Sequence, residues 1–386
     1  MQIRLRYIIL AFILTSCVIF RLKPFQKSLT KTSIDAKDYS TKVKFRLKTW
    51  MFVKAKVQGQ NSEKELIFDT GSPFAYTFKT KSEFGLATKK LFAKTECGIG
   101  TLEFGGIKMS SLSYLVSDHE EFGNSSGIFG VNAMQRSIWE INFSDSTIKF
   151  SNNPKNFDNI SGSYPAKFKP LGVQETPILR FAIGKDTVEA FLDTGFPGLI
   201  QLNNDFKADT HLVKIKSSYR NVSALGYQSK KDYFVYTKFL KANTIGIAGL
   251  NLSPIILTQM NQYKGRNLVG IKFLQNFIVT IDWPNRTIYF KPNKEMNFPK
   301  EMYSYGFHCY TVKGVLKVTE VFKNSVAEKL GLKSGDIIIS INNQLAPEID
   351  KTTFQQINSA VNSGKEIKLE VKDKPEMLLK KVDVFN

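Results

Sequence analysis

Cysteine and histidine are scarce. Three cysteines (Cys17, Cys97 and Cys309) in 386 residues are too few and too scattered to build a disulfide framework. Nothing in the sequence supports a Cys97–Cys309 bridge. The three histidines, His119, His211 and His308, stand alone, with no HExxH motif and no paired Cys/His spacing. Metal hydrolysis is therefore not expected, and neither a metal nor an organic cofactor is implied. Gly 25 and Pro 13 are ordinary counts, which excludes collagen-like and Pro/Gly low-complexity chains. Only one long apolar stretch exists, and mean hydropathy is −0.19, which excludes a multi-span membrane protein. Hydrophobic residues at 42% and aromatics at 12% exclude a disordered chain. Acid is also short: Asp+Glu 34 against Lys+Arg 54 leaves a net charge of +20. No aromatic RNA-binding motif or helix-turn-helix pattern accompanies that charge, so no nucleic-acid partner is expected.

The positive charge is concentrated near the start. Residues 1–50 hold eleven Lys/Arg and two acids, Asp35 and Asp38. Met1–Arg6 is basic, and Tyr7–Phe20 is 14 residues without a charge, short for a spanning helix. This order reads as an export signal. Within it, Leu14-Thr15-Ser16-Cys17 resembles the bacterial lipobox, which would make Cys17 a lipidation site. The apolar Val18-Ile19-Phe20 that follows keeps an uncleaved signal anchor open. Either way the body is expected outside the cytoplasm, membrane-tethered in the cell envelope (periplasmic or surface-exposed). Residues 21–42 then read as a flexible basic stem, where each cation adds about 1 kcal/mol near an anionic surface.

The sequence repeats itself. Leu66-Ile67-Phe68-Asp69-Thr70-Gly71-Ser72-Pro73 returns as Ala190-Phe191-Leu192-Asp193-Thr194-Gly195-Phe196-Pro197, 124 residues on. A second pair follows, Gly127-Ile128-Phe129-Gly130 and Asn267-Leu268-Val269-Gly270, and from Gly130 and Gly270 onward the copies align without a gap at an offset of 140. Short alternating runs rich in β-branched and aromatic residues surround both, punctuated by Gly, Asn and Asp. Convincing long helices are absent from 43–298. The expectation is a mainly β, duplicated structure with its joint near Ser151–Tyr164.

One D-T-G is weak, since the tripeptide also makes a good turn. Two, each behind an apolar strand and each followed by a matching unit, point to a carboxylate pair. Two Asp side chains held face to face share a proton, so one serves as base and the other as acid. A water between them could then be activated against a carbonyl.

On these residues the chain resembles the aspartic peptidases, in a single-chain form with two retropepsin-like lobes. The resemblance implies a two-lobed acid-protease-like β-barrel fold. It makes Asp69 and Asp193 catalytic and gives Thr70 and Thr194 hydroxyl bonds across the interface. Gly71 and Gly195 leave room at the site, and Ser72 would bond the outer oxygen of Asp69. Phe196 departs from the hydroxyl usual at that place. A flap is expected over Thr95–Thr101 in the first copy and near Ala224-Leu225-Gly226-Tyr227 in the second, although ordinary Gly-containing hairpins read equally well.

After Pro299 the pattern changes. Val318–Val321, followed by Asn324-Ser325-Val326-Ala327-Glu328-Lys329-Leu330-Gly331-Leu332-Lys333-Ser334-Gly335-Asp336-Ile337-Ile338-Ile339-Ser340-Ile341-Asn342, resembles the bacterial PDZ core. Ser325 reads as a helix N-cap, Gly331 as its stop, and Thr352–Val361 as a second helix. PDZ domains take up an extended C-terminus by strand addition, with backbone N–H groups around the carboxylate. The matching loop is Tyr305, Gly306 and Phe307; His308 reads as a half-exposed strand residue.

The expected organisation is an export segment (1–20), a stem (21–42), lobe one (43–155), lobe two (156–298) and a PDZ domain (299–386). The expected function is aspartic-type endopeptidase, acting as a monomer on polypeptide substrate, with peptide C-termini binding at the PDZ. Two rivals stand beside it. One is a catalytically inactive scaffold that binds partners through its PDZ. The other is a basic envelope adhesin or nucleic-acid binder that rests on charge alone.

Overall fold

In a computed structural model the described residues are 23–385, apart from 58–59, 93–94, 118–124, 173–174, 208–212, 222–233, 253, 261–264, 313 and 350–363. Cys17, Ala224–Tyr227 and Thr352–Val361 thus lie outside the described residues. The fold is mainly β, with a closed six-strand barrel and a half-barrel. No helix among the described residues is long and apolar enough to cross a membrane. Two compact units interleave along the chain. One comprises Met1–Phe181, Glu189–Leu199 and Leu268–Met296; the other comprises Ala182–Val188, Ile200–Asn267 and Asn297–Asn386. Residues 156–298 therefore contribute to both.

The first unit begins with helix α1 (residues 23–28), then β1 (Ser33–Ile34) and β2 (Ser40–Lys44). These residues correct the expectation of a flexible stem. Leu29, Thr32 and Tyr39 are buried, β1 pairs with a barrel strand, and Tyr39 shares a hydrogen bond with Ser137 at 2.6 Å. The cause is legible in hindsight: Leu29, Ile34, Tyr39 and Val43 are apolar anchors set among the lysines.

The barrel is built from β3 (Met51–Val57), β4 (Glu63–Asp69), β5 (Ala75–Tyr76), β6 (Lys89–Phe92), β7 (Thr95–Phe104), β8 (Ile107–Val116) and β9 (Gly127–Gly130), with α2 (Phe78–Phe84) inserted after β5. Thr77 caps α2 by accepting from Thr80 N–H, and Gly85 ends it in the left-handed region. Going round, β3 pairs β4, β4 pairs β9, β9 pairs β5, β5 pairs β8, β8 pairs β7, and β7 returns to β3. Closure removes free edges, and β6 attaches outside the ring as the partner of β7. Phe68, Phe104, Phe129, Trp139 and Phe150 fill the interior, with the Trp139 and Phe150 rings stacked at 4.4 Å.

A separate six-stranded sheet lies in the same unit. It uses β10 (Ile138–Asn142), β11 (Thr147–Ser151), β12 (Tyr164–Lys167), β20 (Phe277–Asp282) and β21 (Thr287–Pro292), ordered β12-β21-β20-β10-β11-β2. At its centre β10 meets its own repeat, β20. Ile138 faces Asp282, Asn142 faces Ile278, and Glu140 faces Thr280. Glu140 and Thr280 are equivalent at the offset of 140, so a local two-fold axis passes between them. The duplication read from the sequence is thus expressed as an antiparallel pairing of the two copies.

The second copy supplies β13 (Thr176–Ile183), β14 (Asp186–Leu192), β15 (Ile200–Leu202), β16 (Val213–Asn221), β17 (Phe234–Ala242), β18 (Ile255–Met260) and β19 (Asn267–Val269). Its pairings repeat those of the barrel: β15 runs parallel to β18 as β5 does to β8, and β17 pairs β18 as β7 pairs β8.

In the second unit the strands β22 (Phe307–Val312) and β23 (Val315–Phe322) extend the sheet of the second copy. β16 pairs β23 antiparallel, with Ser218 facing Phe322 and Arg220 facing Glu320. Phe322 stacks on Phe239 at 5.4 Å and joins Ile256, Met302 and Val384 in a shared cluster. Helix α3 (Val326–Lys329) follows, capped by Ser325, whose Oγ accepts from Glu328 N–H. Strands β24 (Ile338–Ile341), β25 (Glu366–Val371) and β26 (Met377–Lys380) complete a core that includes Phe307, Val318, Ala327 and Leu369. Neither Cys97 nor Cys309 forms a disulfide among the described residues. Burial raises the Cys309 thiol to about 12.

Candidate functional site

Strand β4 ends at Asp69 and β14 at Leu192, one residue before Asp193, and both D-T-G loops belong to the first unit. The apolar residues before each Asp anchor it: Phe68 and Leu192 are wholly buried. The apolar-apolar-Gly segments lie beside them. Phe129 is in register with Phe68 and Gly130 with Asp69, in parallel, while Asp193 N–H donates to the Val269 carbonyl at 2.9 Å. Gly130 and Gly270 have a packing reason to be glycine. A Cβ on Gly130 would lie 2.1 Å from the Pro73 carbonyl carbon, and one on Gly270 would lie 2.4 Å from the Phe196 carbonyl oxygen.

The two loops face each other. A Cβ on Gly71 would come within 2.6 Å of Asp193 Cγ, and a Cβ on Gly195 within 2.5 Å of Asp69 Oδ2. Each glycine is the space into which the opposite carboxylate fits. The threonines cross over reciprocally. Thr70 N–H donates to Thr194 Oγ1 at 3.0 Å, and Thr194 N–H donates to Thr70 Oγ1 at 3.1 Å. Each hydroxyl in turn donates to a carbonyl of the opposite strand, Thr70 to Leu192 at 2.6 Å and Thr194 to Phe68 at 2.8 Å. Both threonines are fully buried, so four polar groups are satisfied without water. Each Asp also accepts from the amide two residues on, Gly71 N–H to Asp69 Oδ1 at 2.7 Å and Gly195 N–H to Asp193 Oδ1 at 2.8 Å.

The electrostatics follow from this geometry. Burial, and then the neighbouring Asp69 carboxylate, hold the Asp193 carboxyl well above the usual range, while the Gly195 and Phe196 amides pull the other way. Such a pair retains a proton where isolated aspartates would have lost theirs.

Other expected residues divide. Ser72 is held by its backbone, its carbonyl accepting from Val131 N–H at 2.9 Å; among the described residues its hydroxyl makes no recorded bond to Asp69. The Phe196 ring lies over Gly198, where a Cβ would meet it at 2.2 Å. Thr95–Thr101 falls on β7 within the β6–β7 hairpin, whose connecting residues 93–94 are not described. Two residues were not singled out from sequence. Trp50 Nε1 donates to the Gly195 carbonyl at 3.0 Å, tying the start of the first copy to the second loop. Buried Asn132, two residues past Gly130, accepts from Phe74 N–H at 2.7 Å and donates to the Ser113 carbonyl at 2.9 Å. A buried Asn just after an apolar-apolar-Gly run was the available signal. Trp50 had none.

In the second unit Tyr305, Gly306 and Phe307 lead into β22. The Tyr305 and Phe307 side chains are buried in the core of this part of the unit. Gly306 has φ +89°, and a Cβ there would lie 2.6 Å from Ser325. Its N–H already donates to Ser304 Oγ at 3.0 Å, and its carbonyl accepts from Phe322 N–H at 2.8 Å. β22 ends its sheet, so among the described strands its outer edge carries no partner. His308, on β22, meets Glu320 through Nδ1 at 2.9 Å.

Comparison with known families matches residues 317–373 to the PDZ domain, and this segment of the chain is a PDZ domain. The match begins within β23, so the 305–307 loop precedes it, and Asp69 and Asp193 lie outside it. No curated protein matches the chain.

Proposed function

We propose that the chain is an aspartic-type endopeptidase with a duplicated, two-lobed acid-protease-like fold, whose PDZ domain binds peptide C-termini and recruits or gates substrate. The observation that carries this reading is the mutual seating of the loops, with each glycine against the opposite carboxylate and the two threonines cross-bonded. That arrangement suits a water held between Asp69 and Asp193. The ionised carboxylate takes a proton from the water, whose oxygen attacks the peptide carbonyl carbon. The protonated carboxyl gives its proton to the carbonyl oxygen. Collapse of the tetrahedral species returns a proton to the departing nitrogen, leaving a new carboxyl and a new amine. Both carboxylates come from one chain, so a monomer suffices. An N-terminal tether holds the enzyme to a membrane outside the cytoplasm, either the uncleaved apolar run Tyr7–Phe20 or, after a cut before Cys17, a lipid on that cysteine.

One feature favours a second reading, a silent scaffold: Phe196 stands where a hydroxyl would support Asp193. The deciding experiment is digestion of an unfolded protein mixture by the full chain in detergent over acid to neutral pH, read by mass spectrometry, beside Asp69→Asn. Cleavage present in wild type and lost in the variant supports the peptidase. Equal cleavage by both would sink it, and no cleavage by a folded wild type would favour the scaffold.

A further inference from the structure

We propose that the face of the first unit formed by α1 and the β6–β7 hairpin docks on an anionic phospholipid surface. The inference rests on the membrane tether proposed for Tyr7–Phe20. The apolar run ends at Phe20 and α1 begins at Lys23. Three Cα steps reach at most about 11 Å. An inserted apolar run therefore holds α1 at the bilayer surface.

The helix is fixed to the unit and cannot swing the body away. Ser28 and Leu29 are buried, and Arg136 Nη2 donates to the Thr30 carbonyl at 2.8 Å. β1 then pairs β8, Ser33 facing Ser110. Whatever surface adjoins α1 must accordingly meet the lipid.

That surface has the right chemistry. A cavity of about 870 Å³ opens between α1 and the hairpin, walled by Pro24, Phe25, Leu91 and Ile99, with Lys89 and Lys90 also lining it and no acid among its walls. Ile99 is 58% exposed, an apolar side chain left in water on a strand of the hairpin. Lys23 and Lys27 on α1 are exposed, as are Lys89 and Lys90. Glu96, opposite Lys90 in register, bonds Lys81 and Thr88 and also feels the Lys90 charge, one acid beside Lys81, Lys89 and Lys90. An apolar patch ringed by lysines matches the interfacial region of an anionic leaflet, where chains and phosphates lie side by side.

The test places the full chain carrying Ile99→Trp in vesicles of brominated phosphatidylcholine, with and without phosphatidylglycerol. Wild type sets the background: Trp139 and Trp283 are buried, and the half-buried Trp50 is common to both chains. The expected result is quenching above background that depends on phosphatidylglycerol. Adding Lys89→Gln and Lys90→Gln should lower the docked-to-undocked ratio about 25-fold, roughly fivefold for each lysine. In the unaltered chain, amide exchange over residues 89–99 should slow when phosphatidylglycerol is present. Three outcomes overturn the inference. A chain washed off the vesicles at alkaline pH sinks the tether and this docking together. A retained chain without quenching at position 99 sinks the docking alone. Quenching indifferent to phosphatidylglycerol and to both lysines assigns the cavity to the chain's own apolar run instead.

Discussion

Asp193 holds its proton because ionising it meets two penalties, its own burial and the charge of Asp69. Its folded value lies above the unfolded value of about 3.9. The native chain thus binds a proton that the unfolded chain releases. This contribution to stability is fully present below about pH 4 and is lost as pH rises through the raised value. Asp193→Asn removes the loss. The variant is expected to melt above wild type at neutral pH, with the gap closing toward acid, as read by calorimetry across pH; a gap that ignores pH would mean that the Asp193 carboxyl is not raised. The proposed chemistry needs one proton on the pair. Hydrolysis should therefore fall as pH rises through the same value and vanish in Asp69→Asn and Asp193→Asn alike. The threonines allow a sharper comparison. Thr70→Val strands Thr194 N–H and the Leu192 carbonyl in a dry site, at about 1–3 kcal/mol per group, whereas Thr70→Ser keeps both bonds. Denaturant melts should show the valine variant losing about 2–4 kcal/mol and the serine variant under about 1. Equal losses would place the effect in the methyl group rather than the cross-bond.

At the scale of elements, β23 is the informative strand. It belongs to the PDZ domain by sequence, yet it pairs with β16 of the second copy and sends Phe322 into a cluster with Phe239 and Ile256. Phe322→Ala should cost about 3–5 kcal/mol. Amide exchange should quicken in β17 as well as in β22 and β23, while β3 and β4, in the other unit, stay unchanged. Faster exchange confined to β22 and β23 would show the PDZ folding alone. This joint was not legible in the sequence. Val315–Phe322 reads as a strand from its β-branched residues, but a pattern of period two names no partner, and pairing across about a hundred residues leaves no local trace. What was legible is what repeats. The D-T-G loops, the apolar-apolar-Gly segments and the gapless alignment after Gly130 and Gly270 recur because the same close approaches must be made twice. Trp50 was missed for the converse reason: its bond to the Gly195 carbonyl is a single contact made on one side only.

For the whole molecule, the decisive segment is the one that composition mislabels. Residues 21–42 are rich in lysine, and net charge alone makes them a stem. Yet α1, β1 and β2 are folded onto the first unit, and β2 is the edge strand of the six-stranded sheet, Ser40 facing Ser151 and Lys44 facing Thr147. Few anchors suffice for this, because the lysines reach outward while Leu29, Thr32 and Tyr39 point in. Ser151 Oγ donates to the Tyr39 carbonyl at 2.7 Å, and Asn152 Nδ2 donates to the Lys37 carbonyl at 2.7 Å, so the backbone is held as well. Losing a buried Leu and a buried aromatic costs about 2–5 kcal/mol each, and removing β2 bares a new sheet edge. These losses approach the whole stability of an ordinary domain, about 5–15 kcal/mol. A chain begun at Lys23 should therefore melt with the full chain, and a chain begun at Val43 should melt far lower or aggregate. Calorimetry of the two truncations beside the full chain is the check. Coincident melting of all three would return residues 23–42 to the role of a tether, and with it remove the rigid link that presses α1 and the hairpin to the lipid.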